Sequence, residues 1–172
     1  MKKEMIILVN YKDEEVGFEE KMKTHKKALM HRAFSIFIFN NNGEMILQKR
    51  AIEKYHCGGM WSNTCCSHPR KGEEVNNAAH RRLKEEIGFD CELIDMFTFH
   101  YKVKFNNGLT ENEMDHVFLG FYDGKIKLNK KEASDFRWMK VENVEKEIKK
   151  NPDEFTVWFK IALKELKKSI KR

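Results

Sequence analysis

Long apolar runs are missing from this sequence. The longest near its start, Met5 to Val9, falls short of the roughly 20 residues of a membrane span and of the roughly 7–15 of a secretory leader core. The expectation is a cytoplasmic protein with no membrane partner. Proline is equally scarce, with two in 172 residues, and neither a repeat nor a low-complexity linker interrupts the chain. A single domain over residues 1–172 with one sizeable core is therefore expected. Cysteine is also sparse: Cys57, Cys65, Cys66 and Cys91 form no disulfide framework, because two are adjacent. Free thiols fit a reducing compartment. No nucleic-acid reader motif accompanies the net charge of +6, so nucleic acid is not expected as a partner. An anionic small molecule needs only a few of these cations.

What is present reads as alternating strands and helices. Met5 to Asn10 has the pattern of a strand, followed by a turn through Asp13 to Gly17. Arg32 to Phe39 and Glu44 to Arg50 form a hairpin pattern around Asn42-Gly43, where a type I′ turn is predicted. Ala79, Leu83 and Ile87 recur at helical spacing within Asn76 to Ile87, and Gly88 supplies the stop. Phe97 to Lys104 and Thr110 to Tyr122 read as strands joined through Asn106-Asn107-Gly108. From Phe155 to Ile170 the tail is an amphipathic helix. The class is α+β, a mixed β-sheet packed between α-helices.

Four polar constellations stand out. Period-2 geometry puts Glu111, Glu113 and Asp115 on one strand face, where two carboxylates about 7 Å apart can converge on one cation or simply face solvent. Trp61 to Pro69 has little regular periodicity and reads as a site loop. Within it Cys66 and His68 can share a metal, or the histidine can hold metal while the thiol acts on substrate; an inert thiol pair or a zinc knuckle is the alternative. His25 and His31 stand six apart, roughly 240° around a helix. If they share a metal they lie on an irregular connection or on successive elements; otherwise they are unrelated surface and core histidines. Arg81 with Glu85, and Arg82 with Glu86, are i, i+4 pairs that serve helix support or a site.

Glu73, Arg81, Leu83, Glu85, Glu86 and Gly88 fall in register with the Nudix box, G-x5-E-x7-R-E-U-x-E-E-x-G-U, which the segment resembles. Ser67 replaces its first glycine and Arg82 its second glutamate, and an arginine cannot ligate a cation. His31-Arg32-Ala33-Phe34-Ser35, Thr64 to Pro69 and Glu111-Asn112-Glu113 are similar to the signatures of the type 1 isopentenyl-diphosphate isomerases, over about Met5 to Trp158. The resemblance implies a Nudix-like fold that interconverts isopentenyl and dimethylallyl diphosphate. It also implies a metal site of His25, His31, His68, Glu111 and Glu113, with Cys66 and Glu113 as the proton-transfer pair. Glu86 would help magnesium hold the diphosphate. Lys21, Arg50, Lys54 and Arg82 match positions near the phosphates, and Tyr101 and Trp158 match aromatic groups around the reacting carbons.

That reaction adds a proton at C4 and removes one from C2, so two acid-base groups facing each other across a flat alkene suit it. Glu113 is assigned to protonation and Cys66 to deprotonation in the forward direction. Five nitrogen and oxygen ligands exceed the tetrahedral structural-zinc count, so manganese, magnesium or loosely held zinc is expected. The π-face of Trp158 can stabilise a carbocation, or the ring can simply fill the core. The expected partner is a small diphosphate, bound by a monomer or weak homodimer. A Nudix-type diphosphate hydrolase is the alternative, marked by phosphate release without isomerisation. A zinc or nucleic-acid module is a third, marked by salt-sensitive binding.

Overall fold

The computed structural model describes residues 4–170; residues 1–3 and 171–172, the ends of the single unit expected from the sequence, lie outside the described residues. Among the described residues nine strands form one mixed sheet. Its hub is β3 (His31–Phe39), whose alternation sorts Phe34, Ile36 and Ile38 to one face and His31, Ala33, Ser35 and Phe37 to the other. Along one edge β8 (Thr110–Phe121) runs parallel to it, from His31 opposite Glu113 to Phe39 opposite Phe121. Along the other edge three strands take turns: β1 (Met5–Val9) at His31, β6 (Cys65–Ser67) at Phe34 to Ile36, and β4 (Glu44–Arg50) at Phe39. The sheet continues through β2 (Glu15–Glu20) beside β1, β7 (Leu93–Lys104) beside β8, and β5 (Trp61–Ser62) and β9 (Ala133–Lys140) beside β4.

Each sheet face meets a helix. α2 (Val75–Ile87) lays Ala78, Ala79, Leu83 and Ile87 on Phe34, Ile36, Ile38, Ile46 and Phe118. On the opposite face α4 (Val157–Ile170) packs Trp158, Phe159, Ala162 and Leu166 on Phe37, Leu47, Val117 and Leu119. Full burial of each of the larger side chains, leucine, isoleucine or phenylalanine, contributes about 1.5–3 kcal/mol, and that gain holds the layers together. α1 (Lys21–Lys26) and α3 (Val141–Lys150) complete the helices. The α+β sheet between helices agrees with the sequence pattern. Among the described residues no helix is long and apolar enough to cross a membrane.

Several local readings change. Asp13 to Gly17 is not only a turn, since β2 begins at Glu15 and pairs with β1. The two hairpin turns share one wider design. Gly43 donates to the Asn40 carbonyl at 3.0 Å and Gly108 to that of Phe105 at 3.1 Å. Only the glycine takes positive φ, +71° at Gly43 and +84° at Gly108, whereas a type I′ turn would need it at Asn42 too. Trp61 to Ser67 contains two short strands, ordered by pairing to β4 and β3 rather than by a period of their own.

Candidate active site

The polar face of the hub strand and its neighbours carries the site. α1 buries Thr24 and His25 on its inner side, and a turn with Ala28 at φ +54° redirects the chain into β3. His25 and His31 thus come from successive elements. The Nδ1 atoms of both rings face backbone carbonyls, His25 to Lys21 at 2.7 Å and His31 to Leu29 at 2.9 Å. A carbonyl oxygen only accepts, so each Nδ1 carries the proton and each Nε2 is left as a lone-pair donor pointing inward. β8 presents Glu111 and Glu113 to the same point, and β6 leads into His68. His25 Nε2 lies 3.1 Å from Glu111 Oε2, and His31 Nε2 lies 3.4 Å from Glu113 Oε1. All five residues are buried, and each offers a ligand atom within 4.8 Å of the others.

That donor set can hold a divalent metal. His25 Nε2, His31 Nε2 and Glu111 Oε2 are buried without a hydrogen-bond partner. Leaving such atoms unsatisfied costs about 1–3 kcal/mol each, a cost that a shared cation removes. Imidazole nitrogens and carboxylate oxygens, with no thiolate among them, suit manganese, magnesium or zinc. The electrostatics agree with this. Burial would raise the Glu111 carboxyl, yet the adjoining His25 and His56 rings hold it well below the usual carboxylate range. Burial and the Glu111 charge oppose ionisation of Glu113, but the adjoining His31 and His68 rings keep it below its ordinary value. Burial pushes His68 down to about 4, which keeps the ring neutral.

Cys66 stands on β6 opposite Ser35. Its thiol donates to Asn63 Oδ1 at 2.8 Å, and that amide is fixed because its nitrogen donates to the carbonyls of Ile36 and Cys65. Ser35 Oγ lies 3.6 Å from the sulfur and donates to Asp115 at 2.8 Å. Burial, then the Asp115 charge, pushes the Cys66 thiol up to about 12. Burial and the Glu113 charge push Asp115 well above its usual range. The group at 66 is therefore a thiol at neutral pH.

One cavity brings these elements together. Cys66, His68, Glu111 and Glu113 line it alongside Tyr101 and Trp158, and so do the cations Lys21, Arg50, Lys54 and Arg82. Tyr101 does more than present a ring, since its hydroxyl donates to Glu113 Oε2 at 2.6 Å. Trp158 fills the core and also lines the cavity: its indole N–H donates to Ser62 Oγ at 3.0 Å, and the Arg50 guanidinium stands 5.0 Å from the ring. Glu86 is not among the lining residues. It is buried behind Arg82, with one oxygen on that guanidinium and the other accepting from Gln48 at 2.8 Å. Arg82 also contacts Glu85 at 2.7 Å and Glu132 at 3.2 Å, so it neutralises carboxylates of the helix and of the turn before β9.

Sequence reasoning gave Ser35, Asn63 and Asp115 no role of their own, although Ser35 and Asn63 stood within the quoted motifs and Asp115 on the carboxylate face of β8, and it passed over His56. All four become neighbours of the site through sheet pairing and loop closure.

A family model described as NUDIX domain matches residues 29–159. Over 160 residues the chain is 48% identical to isopentenyl-diphosphate Delta-isomerase 2 of Aromatoleum aromaticum, covering 93% of this chain and 85% of that protein. It is 44% identical over 163 residues to isopentenyl-diphosphate Delta-isomerase of Serratia proteamaculans, covering 95% and 91%. A solved structure from Deinococcus radiodurans superposes with a TM-score of 0.72 at 19% identity, covering 86% of this chain and 90% of that one. A MutT protein from Methanosarcina mazei Go1 gives 0.67 at 17% identity, covering 83% and 96%. These two structural likenesses concern the fold alone.

Proposed function

The chain belongs to the NUDIX superfamily and, within it, to the isopentenyl-diphosphate Delta-isomerases, and from that premise we propose that Cys66 and Glu113 exchange protons with the substrate across the cavity they share. The overall reaction converts isopentenyl diphosphate to dimethylallyl diphosphate. The observation that carries the proposal is that a thiol and a carboxylate line one cavity that also holds four cations. Lys21, Arg50, Lys54 and Arg82 bind and orient the diphosphate. Trp158 faces the positive charge that develops when the alkene is protonated, and the aromatic walls exclude water that would quench it.

The protonation states bear on direction. In the forward reaction Glu113 gives a proton to C4 and Cys66 takes one from C2. A thiol at 66 and a carboxylate at 113, the pair that the buried surroundings favour, are the states left by one forward turnover. They are also the states ready for the reverse reaction. Tyr101 holds Glu113 Oε2 in place between turnovers. His25, His31, His68, Glu111 and Glu113 would hold manganese, magnesium or zinc, whose charge, when bound, fixes Glu113 and modulates its basicity. Glu86 supports a second magnesium with the diphosphate only if Arg82 gives up its contact.

A hydrolase reading is disfavoured by the same helix. The carboxylates that hydrolytic metals would need, Glu85 and Glu86, are paired with Arg82. The test is turnover of isopentenyl diphosphate in deuterated water by wild type, Cys66→Ala and Glu113→Gln. Deuterium entering the product methyl group, and loss of turnover in both folded variants, are expected. Near wild-type activity in either variant refutes its assigned role, and phosphate release without isomerisation refutes the reaction.

A further inference from the structure

His56 lies on the loop between β4 and β5 and is 8% exposed. Its Nε2 is hydrogen-bonded to Glu111 Oε1. The ring is clamped: it stacks on Tyr55 with centroids 4.3 Å apart and an interplanar angle of 11°, and it meets Trp158 and Phe105, each at 5.2 Å. Arg50 ties the same residue's carbonyl at 3.3 Å. Glu111 therefore divides its two oxygens. Oε1 is taken by His56, while Oε2 is turned toward His25 at 3.1 Å and His31 at 3.9 Å and has no hydrogen-bond partner of its own.

We propose that His56 is a positioning residue that holds Glu111 Oε1, so that Oε2 alone is presented to a divalent cation in the His25, His31, His68, Glu111 and Glu113 cluster. The inference rests on reading that cluster as a metal site. A carboxylate is planar and rigid, so fixing one oxygen by a directed N–H bond from an immobile ring fixes the other. Without that bond Glu111 can rotate about its side-chain torsions, offer both oxygens to the ion, or swing toward His25 alone. Partners of this kind, one step removed from the ion, typically change metal affinity about 10–100-fold when lost.

The test measures manganese ion affinity by competition with a chelating indicator dye, on purified wild-type protein and two variants. His56→Phe keeps an aromatic ring between Tyr55 and Trp158 but has no donor; His56→Gln keeps an N–H donor at similar reach without the ring. Affinity about 10–100-fold weaker in His56→Phe, with most of it regained in His56→Gln, is expected. Wild-type protein that binds no manganese overturns the metal reading itself. Wild-type binding matched by His56→Phe overturns the role of His56 alone. Equal weakening in both variants also overturns it, because packing rather than the donor would then be what matters.

Discussion

Replacing Tyr101 by phenylalanine removes one hydroxyl and leaves the ring in its place beside Phe99, 5.8 Å away between centroids. That hydroxyl is the hydrogen-bond donor found on Glu113 Oε2, at 2.6 Å, whereas the histidines His68 and His31 both approach Oε1. The substitution therefore strips one side of a buried carboxylate. A hydrogen bond to a charged group contributes about 1.5–3 kcal/mol, and a buried oxygen left bare lies toward the upper end, roughly 2–3 kcal/mol. At roughly 2–4 °C per kcal/mol for a chain of this size, Tm falls by about 4–12 °C. Catalysis suffers separately, because Glu113 can now rotate out of line. We expect kcat to fall roughly 10–100-fold. KM stays close to the wild-type value, since the cations Lys21, Arg50, Lys54 and Arg82 are untouched. Thermal unfolding by circular dichroism and steady-state kinetics with isopentenyl diphosphate measure the two effects. A variant with unchanged Tm and unchanged kcat would show that Glu113 does not depend on this bond.

Acid should weaken the protein through His68. In the unfolded chain this ring takes up a proton below its ordinary value of 6.5, while burial in the fold holds it off until about pH 4. The unfolded state then binds more protons in that window, so stability present above pH 6.5 is lost as pH falls toward 4, by about 3 kcal/mol. Urea unfolding of chelator-treated protein at pH 7 and pH 4.5, with His68→Gln as reference, measures it; equal acid sensitivity in the two proteins contradicts the argument. Gly120→Ala should destabilise by about 1–3 kcal/mol through overpacking. The added carbon would stand 2.8 Å from the Ile38 side chain, 2.9 Å from the Glu92 carbonyl and 3.0 Å from the Cys91 sulfur. An unchanged urea midpoint would rule that clash out, and specific activity should match wild type.

The hub of the fold was legible because β3 has both a strong apolar run and a turn, and α2 because its spacing ends at a glycine with φ +83°. Elements with weaker local preference were not. Glu15–Glu20 carries three glutamates and becomes a strand through its partner β1. Ala133–Lys140 alternates only loosely and is ordered by lying against β4. In the site, the residue types of the five-member His and Glu cluster were visible, as was the carboxylate face of β8. Their convergence was expected from the family resemblance alone and not from any local pattern, because it depends on β3 and β8 running parallel in one register. His56 was invisible for a related reason: a histidine in a turn-rich loop has no local sign that the loop folds back onto Glu111.

The NUDIX match begins at residue 29, behind β1, β2 and α1. That leading clip nevertheless supplies Lys21 to the cavity and His25 to the cluster. The shared domain alone thus carries four of the five convergent groups, and the fifth arrives on a separate brace anchored by the β1 contact at His31. Loosening that brace, by a proteolytic nick or a substitution at the Ala28 bend, would withdraw His25 from the cluster, whereas the α2 and α4 layers pack on residues outside it. One corner of the cluster is in this way entrusted to a stretch that neither helical layer covers.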